Sequence, residues 1–156
     1  LNHRQQSNLF WLNIALGALL TTIVASASPL VARLYGTPEV APVTLALSMT
    51  FLISSIGTQY GAMLVREMRF LSLAIASNTA AIAGLLVSIG FALQGYSYWA
   101  LVHGTLVTSL TRTALLVRYT PFKPTLPSRD SGIRELLVFG ANVTAFDLVN
   151  YFARNL

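Results

Sequence analysis

The feature of this sequence that most constrains its fold is the distribution of its charges. The chain has only ten Lys or Arg and five Asp or Glu among 156 residues, and three of these lie together in VREMRF, residues 65–70. Four tracts without any charge occupy residues 5–32, 40–65, 70–111 and 136–146. A soluble domain needs about a quarter of its residues charged to cover its surface. We infer that lipid covers most of this chain.

The lengths of the charge-free tracts indicate membrane-spanning helices. A hydrocarbon core of about 30 Å requires about 20 helical residues, so each of the first two tracts fits one span. The third is long enough for two spans, and Gln94 and Gly95 break it before the interfacial aromatics Tyr96, Tyr98 and Trp99. The fourth begins a span that the C-terminus cuts short. The sequence therefore predicts an all-α membrane protein, a multi-span helical bundle that is an internal fragment of a longer chain.

Turn residues predict where the helices end and begin. In LYGTPE, Gly36 suits a left-handed helix end, Thr37 is a candidate N-cap for the second helix, and Pro38 fits its first turn. Three prolines in residues 120–128 predict an extended connector. A soluble helical core would show polar stripes with a period of 3.6 residues, and we expect none in the middle spans.

The basic residues predict the orientation of the spans, because Lys and Arg favour the cytoplasmic side. If the loops alternate, Arg33 alone lies on one side, and the other side receives Arg4, Arg66, Arg69, Arg112, Arg118, Lys123, Arg129 and Arg134. We expect residues 1–8, 66–69 and 118–134 to be cytoplasmic and residues 33–39 and 94–98 to be periplasmic. Arg66 and Arg69 then anchor a cytoplasmic turn, and binding of an anionic lipid or phosphate is the alternative role.

Several classes of function lack their signatures. The chain has no cysteine, no clustered carboxylates, and none of the metalloprotease, nucleotide-binding or nucleophile-elbow motifs. Its basic residues lie at span ends, whereas a nucleic-acid reader carries them along one face. We predict no enzyme, no nucleic-acid partner, no metal and no cofactor.

The last predicted helix carries one polar stripe. At 100° per residue, its members fall within about 120° of one another; they are Thr144, Asp147, Asn150, Tyr151 and Arg154. Ionisable groups within spans are costly and indicate function by default. The stripe either lines a water-filled cavity for a polar, charged substrate or only locks helices together.

Other polar and small residues have plainer interpretations. Single amides at Asn13, Gln59 and Asn78 favour helix packing, although Asn13 and Gln59 remain candidates for lining a substrate cavity. His103 is interpreted as a neutral hydrogen-bonding residue rather than a proton relay. Two sets of small residues predict close helix packing: the GxxxG match at residues 57–61, and Ala80, Gly84 and Ser88.

An ordered series of motifs resembles one family across essentially the whole chain. The motifs are NLFWLNIALG, LYGTPEVAPV, MLVREMRF, SYWALV, TRTALL and LLVFGANVTAFDLVNYFARNL. They are similar to the oligosaccharide flippases of the polysaccharide transporter family, Wzx-type exporters similar to the colanic acid exporter. The superfamily also includes the multidrug-and-toxin extruders.

The resemblance implies a MATE-like, two-bundle transporter of about 12–14 helices working by alternating access. Residues 1–118 would be helices three to six, residues 119–134 a cytoplasmic link between the bundles, and residues 135–156 the start of helix seven. The expected substrate is an undecaprenyl-pyrophosphate-linked oligosaccharide, flipped across the bacterial inner membrane for polysaccharide, O-antigen or exopolysaccharide biosynthesis. Membrane lipid and the glycan-assembly machinery are expected partners. Helix seven would line the cavity, where Arg154 would pair with a pyrophosphate or acidic sugar.

The resemblance leaves some points open. Many relatives carry a glutamate early in the fifth helix, where this chain has Ser77 beside Asn78, so coupling to H+ or Na+ is in doubt. The alternatives to a flippase are a drug or small-molecule exporter of the same superfamily and a non-transporting membrane scaffold.

Overall fold

The structure, a computed structural model, describes residues 3–126. These residues form four helices: α1 His3–Tyr35, α2 Val40–Arg66, α3 Phe70–Leu93 and α4 Ser97–Tyr119. Each is long and apolar enough to cross a membrane. The described part of the chain contains no strand. The prediction of an all-α, multi-span membrane bundle is confirmed.

The described residues fall into two units, one of residues 10–123 and one that includes residues 3–9 and 124–126. The larger unit holds nearly all of the four helices. In the smaller unit, the described residues include a link between the first turns of α1 and the connector after α4. Both the backbone N–H and the hydroxyl of Thr125 donate to Ser7 Oγ, at 3.1 and 3.0 Å.

Two glycines make the turns between helices, as predicted. Gly36 directly follows the last residue of α1 and has φ +66°, and Gly95 lies between α3 and α4 with φ +85°. Both values favour a residue without a Cβ. The prediction that Thr37 caps α2 is wrong. Its hydroxyl donates back to the carbonyl of Tyr35 at 3.2 Å, and Glu39 occupies the N-cap position without a side-chain cap.

Helices α3 and α4 pack through small residues. A Cβ added at Gly84 would lie 2.7 Å from the carbonyl oxygen of Gly104, and one added at Gly104 would lie 2.8 Å from that of Gly84. Ala80 is fully buried one turn from Gly84, and Ser88 lies against Gly104 one turn in the other direction. The predicted close packing by Ala80, Gly84 and Ser88 is confirmed, and here the two backbones themselves are in contact.

Helices α2 and α4 run parallel, because α3 returns the chain to the end of the bundle at which α2 begins. The GxxxG match packs against α4 as predicted: a Cβ on Gly57 or Gly61 would lie 3.5 or 3.7 Å from the Leu116 side chain. The Thr113 hydroxyl donates to the carbonyl of Ile53 at 3.1 Å and so links the two helices. On the other side of α2, the Thr21 hydroxyl of α1 donates to the Ser48 carbonyl at 3.0 Å.

An aromatic cluster closes the bundle at the end where α2 and α4 finish, which we call the basic end. Phe10, Tyr60 and Phe122 meet edge to face, with ring centroids 5.7–6.3 Å apart. Leu64 and Leu116 pack in the same core. Because Phe122 belongs to the segment after α4, the first residues of the connector pack against the ends of α1 and α2.

A second contact at the basic end involves the α2–α3 turn. The Arg69 guanidinium donates to the carbonyl of Tyr119, the last residue of α4, at 2.9 Å. It also lies 3.6 Å from the Glu67 carboxylate in an exposed ion pair. Arg69 thus satisfies one of the carbonyls that a helix C-terminus leaves without a partner.

Candidate functional site

Hydroxyl side chains form a stripe on α2 and another on α4. Thr50, Ser54 and Thr58 recur every fourth residue along α2, and α4 carries Thr105, Thr108, Ser109, Arg112 and Thr113 on one face. Since the two helices are parallel and packed together, both stripes line one open cavity of about 670 Å³. We call this cavity the α2–α4 groove. The sequence-based expectation that the middle spans lack polar stripes is wrong, because these hydroxyls recur with helical period.

Most hydroxyls of the α2–α4 groove donate their proton to a helix backbone. Thr50, Thr58 and Thr108 donate to carbonyls of the preceding turn, at 2.6, 2.9 and 2.9 Å. Their oxygens keep lone pairs that can accept from a ligand. Ser54 and Ser109 share one hydrogen bond of 3.1 Å across the groove, so one of the two protons stays available. The groove is therefore mainly an acceptor surface, which suits a ligand rich in O–H groups.

Arg112 is the one cationic residue among those lining the α2–α4 groove. Its side chain is exposed, and it makes no hydrogen bond or ion pair with any described residue. Arg112 lies within α4, which continues past it to Tyr119. Seven residues of helix, about 10 Å, separate it from that end. A guanidinium on a membrane-spanning helix needs water, an anion or a side-chain path to the interface, since hydrocarbon solvates it poorly.

A second cavity, of about 450 Å³, lies between α1 and α2. Asn13 and Gly17 of α1 line it together with Thr50, Ser54 and Thr58. The α2 stripe therefore contributes to both cavities. Polar groups of α1, α2 and α4 form one continuous surface on the larger unit.

The predicted site residues fall in different places. Asn13 lines the second cavity, whereas Gln59 is 6% exposed and lines neither cavity. Asn78 is exposed on α3. The predicted helix-seven stripe lies outside the described residues; its members are Thr144, Asp147, Asn150, Tyr151 and Arg154. Within residues 3–126 no group of three potential metal ligands occurs.

His103 is held by its own helix and its neighbours. Its Nδ1 lies 2.8 Å from the carbonyl oxygen of Trp99, and its ring stacks on Phe91 with centroids 4.4 Å apart and planes at 6°. The Trp99 ring lies 5.9 Å from it. These contacts give the histidine a packing and hydrogen-bonding role at the end of the bundle opposite the basic end.

Comparison with known proteins gives a consistent family assignment. The family described as polysaccharide biosynthesis protein matches residues 1–156. The chain is 28% identical to the lipopolysaccharide biosynthesis protein WzxC of Escherichia coli (strain K12), over 100% of this chain and 32% of the relative. It is 29% identical to the teichuronic acid biosynthesis protein TuaB of Bacillus subtilis (strain 168), over 98% of this chain and 32% of the relative.

A third relative is named as a transporter. The succinoglycan biosynthesis transport protein ExoT of Rhizobium meliloti (strain 1021) is 25% identical over 92% of this chain and 29% of its own length. The chain thus spans about a third of the length of the relatives it matches. No solved structure matches it.

Proposed function

Because this chain belongs to the family of polysaccharide biosynthesis proteins, we propose that the full-length protein translocates lipid-linked oligosaccharides across the bacterial inner membrane. The four membrane-spanning helices and the printed name of the third relative, a transport protein, support a transporter. The proposed substrate is an oligosaccharide on undecaprenyl pyrophosphate. The mechanism is alternating access, in which one helix bundle moves against another and no covalent bond changes.

The observation that carries the proposal is the α2–α4 groove. A lipid-linked oligosaccharide must move a polar glycan past hydrocarbon while its lipid stays in the bilayer. From Thr50 to Val65 the groove follows α2 for roughly 22 Å at 1.5 Å per residue. Its hydroxyl oxygens can accept hydrogen bonds from sugar hydroxyls along that length.

In this proposal the chain supplies part of the first bundle. Residues 1–118 are helices three to six, residues 119–134 link the bundles, and residues 135–156 begin helix seven. The basic end is cytoplasmic, because Arg66, Arg69 and Arg118 lie there and the opposite turn has Arg33 alone. The α2–α4 groove therefore reaches the side of the membrane on which lipid-linked glycans are assembled.

The test is complementation with the full-length gene in a strain that lacks its lipid-linked oligosaccharide translocase. Surface polysaccharide and lipid-linked intermediate in the inner leaflet are measured at matched membrane expression. We expect the wild type to restore surface glycan and clear the intermediate. The double variant Ser54→Leu, Thr58→Leu should fail, because it removes acceptors and fills the groove.

The matched control is Leu86→Ala, at a side chain that is 64% exposed on α3 and outside both cavities. It should restore surface glycan as the wild type does. A well-expressed wild type that leaves the intermediate in place would contradict the proposed function. Export of small cationic drugs by that same protein would favour the drug exporter instead.

A further inference from the structure

We propose that Arg112 forms the anion-binding part of the α2–α4 groove and that it takes the phosphoryl group of a membrane-bound ligand. This proposal rests on the function proposed above and assigns one residue and one chemical group to it. The sugar hydroxyls would occupy the Ser/Thr positions further from the basic end, and the phosphoryl group would lie beside Arg112.

The charges of the described residues favour an anion at this position. Among residues 3–126, no Asp or Glu lines the α2–α4 groove. The two described carboxylates are elsewhere: Glu67 pairs with Arg69 in the α2–α3 turn, and Glu39 lies at the opposite end of α2. The Arg112 guanidinium therefore brings into the groove a positive charge that no described carboxylate compensates. Its planar set of N–H donors matches two phosphate oxygens at once.

The depth of Arg112 matches a phosphoryl group attached to a lipid. The Cα is about 10 Å inside the end of α4, and the long side chain can direct its charge toward that end. The guanidinium then lies near the boundary of the hydrocarbon, where the phosphoryl group of an embedded lipid is found. Arg118, by contrast, is in the last turn of α4 and outside the groove.

The opposite wall leaves room for the ligand. On α2 the lining of the groove includes Thr58, Gly61 and Ala62. The Cβ of an alanine at Gly61 would meet only Leu116, at 3.7 Å. The α2 wall is therefore lined by small residues toward the basic end, while the Ser54–Ser109 pair, one turn from Arg112 along α4, keeps one hydroxyl proton available for a phosphate oxygen.

The experiment measures ligand binding to the purified full-length protein in nanodiscs of neutral lipid. The probes are undecaprenyl pyrophosphate, undecaprenol, inorganic pyrophosphate and phosphatidylglycerol. We expect undecaprenyl pyrophosphate to bind and undecaprenol to bind at least tenfold more weakly. Arg112→Ala should raise the Kd for undecaprenyl pyrophosphate about tenfold or more, the range for a charge-assisted hydrogen bond. Arg112→Lys should restore part of the affinity.

Two further variants separate a site from a general effect of charge. Arg118→Ala removes the same charge from the same helix outside the groove and should change the Kd less than twofold. Ala62→Trp keeps Arg112 but fills the α2 side of the groove toward the basic end, and should weaken binding as Arg112→Ala does. Equal losses in Arg112→Ala and Arg118→Ala, or no loss in Arg112→Ala, would overturn the proposal.

The probes also identify the source of the phosphoryl group. Arg112-dependent binding of inorganic pyrophosphate at the same Kd would support the site with a free phosphate as its ligand, and equal competition by phosphatidylglycerol would support it with a bulk lipid headgroup. If Arg112 matters for binding while complementation by wild type fails, the site stands without the proposed function. If complementation succeeds and binding is indifferent to Arg112, the function stands and this inference falls.

Discussion

Ser54 of α2 and Ser109 of α4 face each other across the groove with their hydroxyl oxygens 3.1 Å apart. A disulfide needs sulfur atoms about 2.05 Å apart on Cβ atoms about 4 Å apart, a spacing that such a hydroxyl pair allows. The double variant Ser54→Cys, Ser109→Cys should therefore oxidise readily. Mild oxidation of the full-length protein, with any cysteines outside this chain replaced, should abolish its reaction with a maleimide.

The control pair for this cross-link is Ser54→Cys with Leu101→Cys. Leu101 lies on α4 about 12 Å along the helix axis from Ser109. Both cysteines of that pair should stay reactive after oxidation. If the two pairs behave alike, the packing of α2 on α4 described above is incorrect.

The contact of Gly84 with Gly104 predicts a difference between two glycines of the same helix. Gly84→Ala should destabilise the protein by about 1–3 kcal/mol, because the new methyl group would overlap the α4 backbone, which cannot move aside. Gly90→Ala, also in α3, places its methyl group in open space and should be neutral or slightly stabilising. Thermal unfolding of the two variants in the same detergent is the measurement, and equal midpoints would count against the contact.

The burial of Phe122 predicts that the connector contributes to stability. Its ring is 9% exposed and lies against Phe10 and Tyr60. Phe122→Ala should cost about 3 kcal/mol, the lower end for a buried phenylalanine, and should speed hydrogen exchange of residues 120–126. Lys123→Ala, at the exposed next residue, should change neither quantity. Unaltered exchange in Phe122→Ala would show that other contacts hold the connector.

The distribution of arginines predicts which turns face the cell exterior. In intact cells, a membrane-impermeant maleimide should label Thr37→Cys in the α1–α2 turn. It should not label Glu67→Cys in the α2–α3 turn until the inner membrane is permeabilised. Both residues are exposed in turns, so accessibility depends on the side of the membrane alone. The reverse pattern would invert the proposed orientation.

The helices were predictable from the sequence, but the groove was not. The lengths of the charge-free tracts predict the spans, because a helix must match the thickness of the hydrocarbon. Gly36 and Gly95 predict two of the turns, because glycine adopts the left-handed backbone that ends a helix. Charges and amides stand out in an apolar span, whereas a Ser or Thr hydroxyl can bond to its own helix and so draws less attention. The recurrence of Thr50, Ser54 and Thr58 at every fourth residue was the signal that would have predicted the stripe.

One local error has a physical reason. Thr37 has the side chain of a good N-cap, but the turn at Gly36 brings its hydroxyl to the carbonyl of Tyr35. This outcome does not follow from residue type, since it depends on where the neighbouring backbone lies.

If the groove carries a glycan, as proposed, the backbone hydrogen bonds of its hydroxyls determine how tightly that glycan is held. Thr50, Thr58 and Thr108 are satisfied whether or not a ligand is present, so an empty groove costs the protein little. Each contact to a sugar would add about 0.5–1.5 kcal/mol, and these contacts repeat at nearly equal intervals. Away from Arg112, a glycan on such a surface meets several shallow minima of similar depth. The glycan can then advance one sugar at a time, and glycans of different sequence would meet free-energy barriers of nearly the same height.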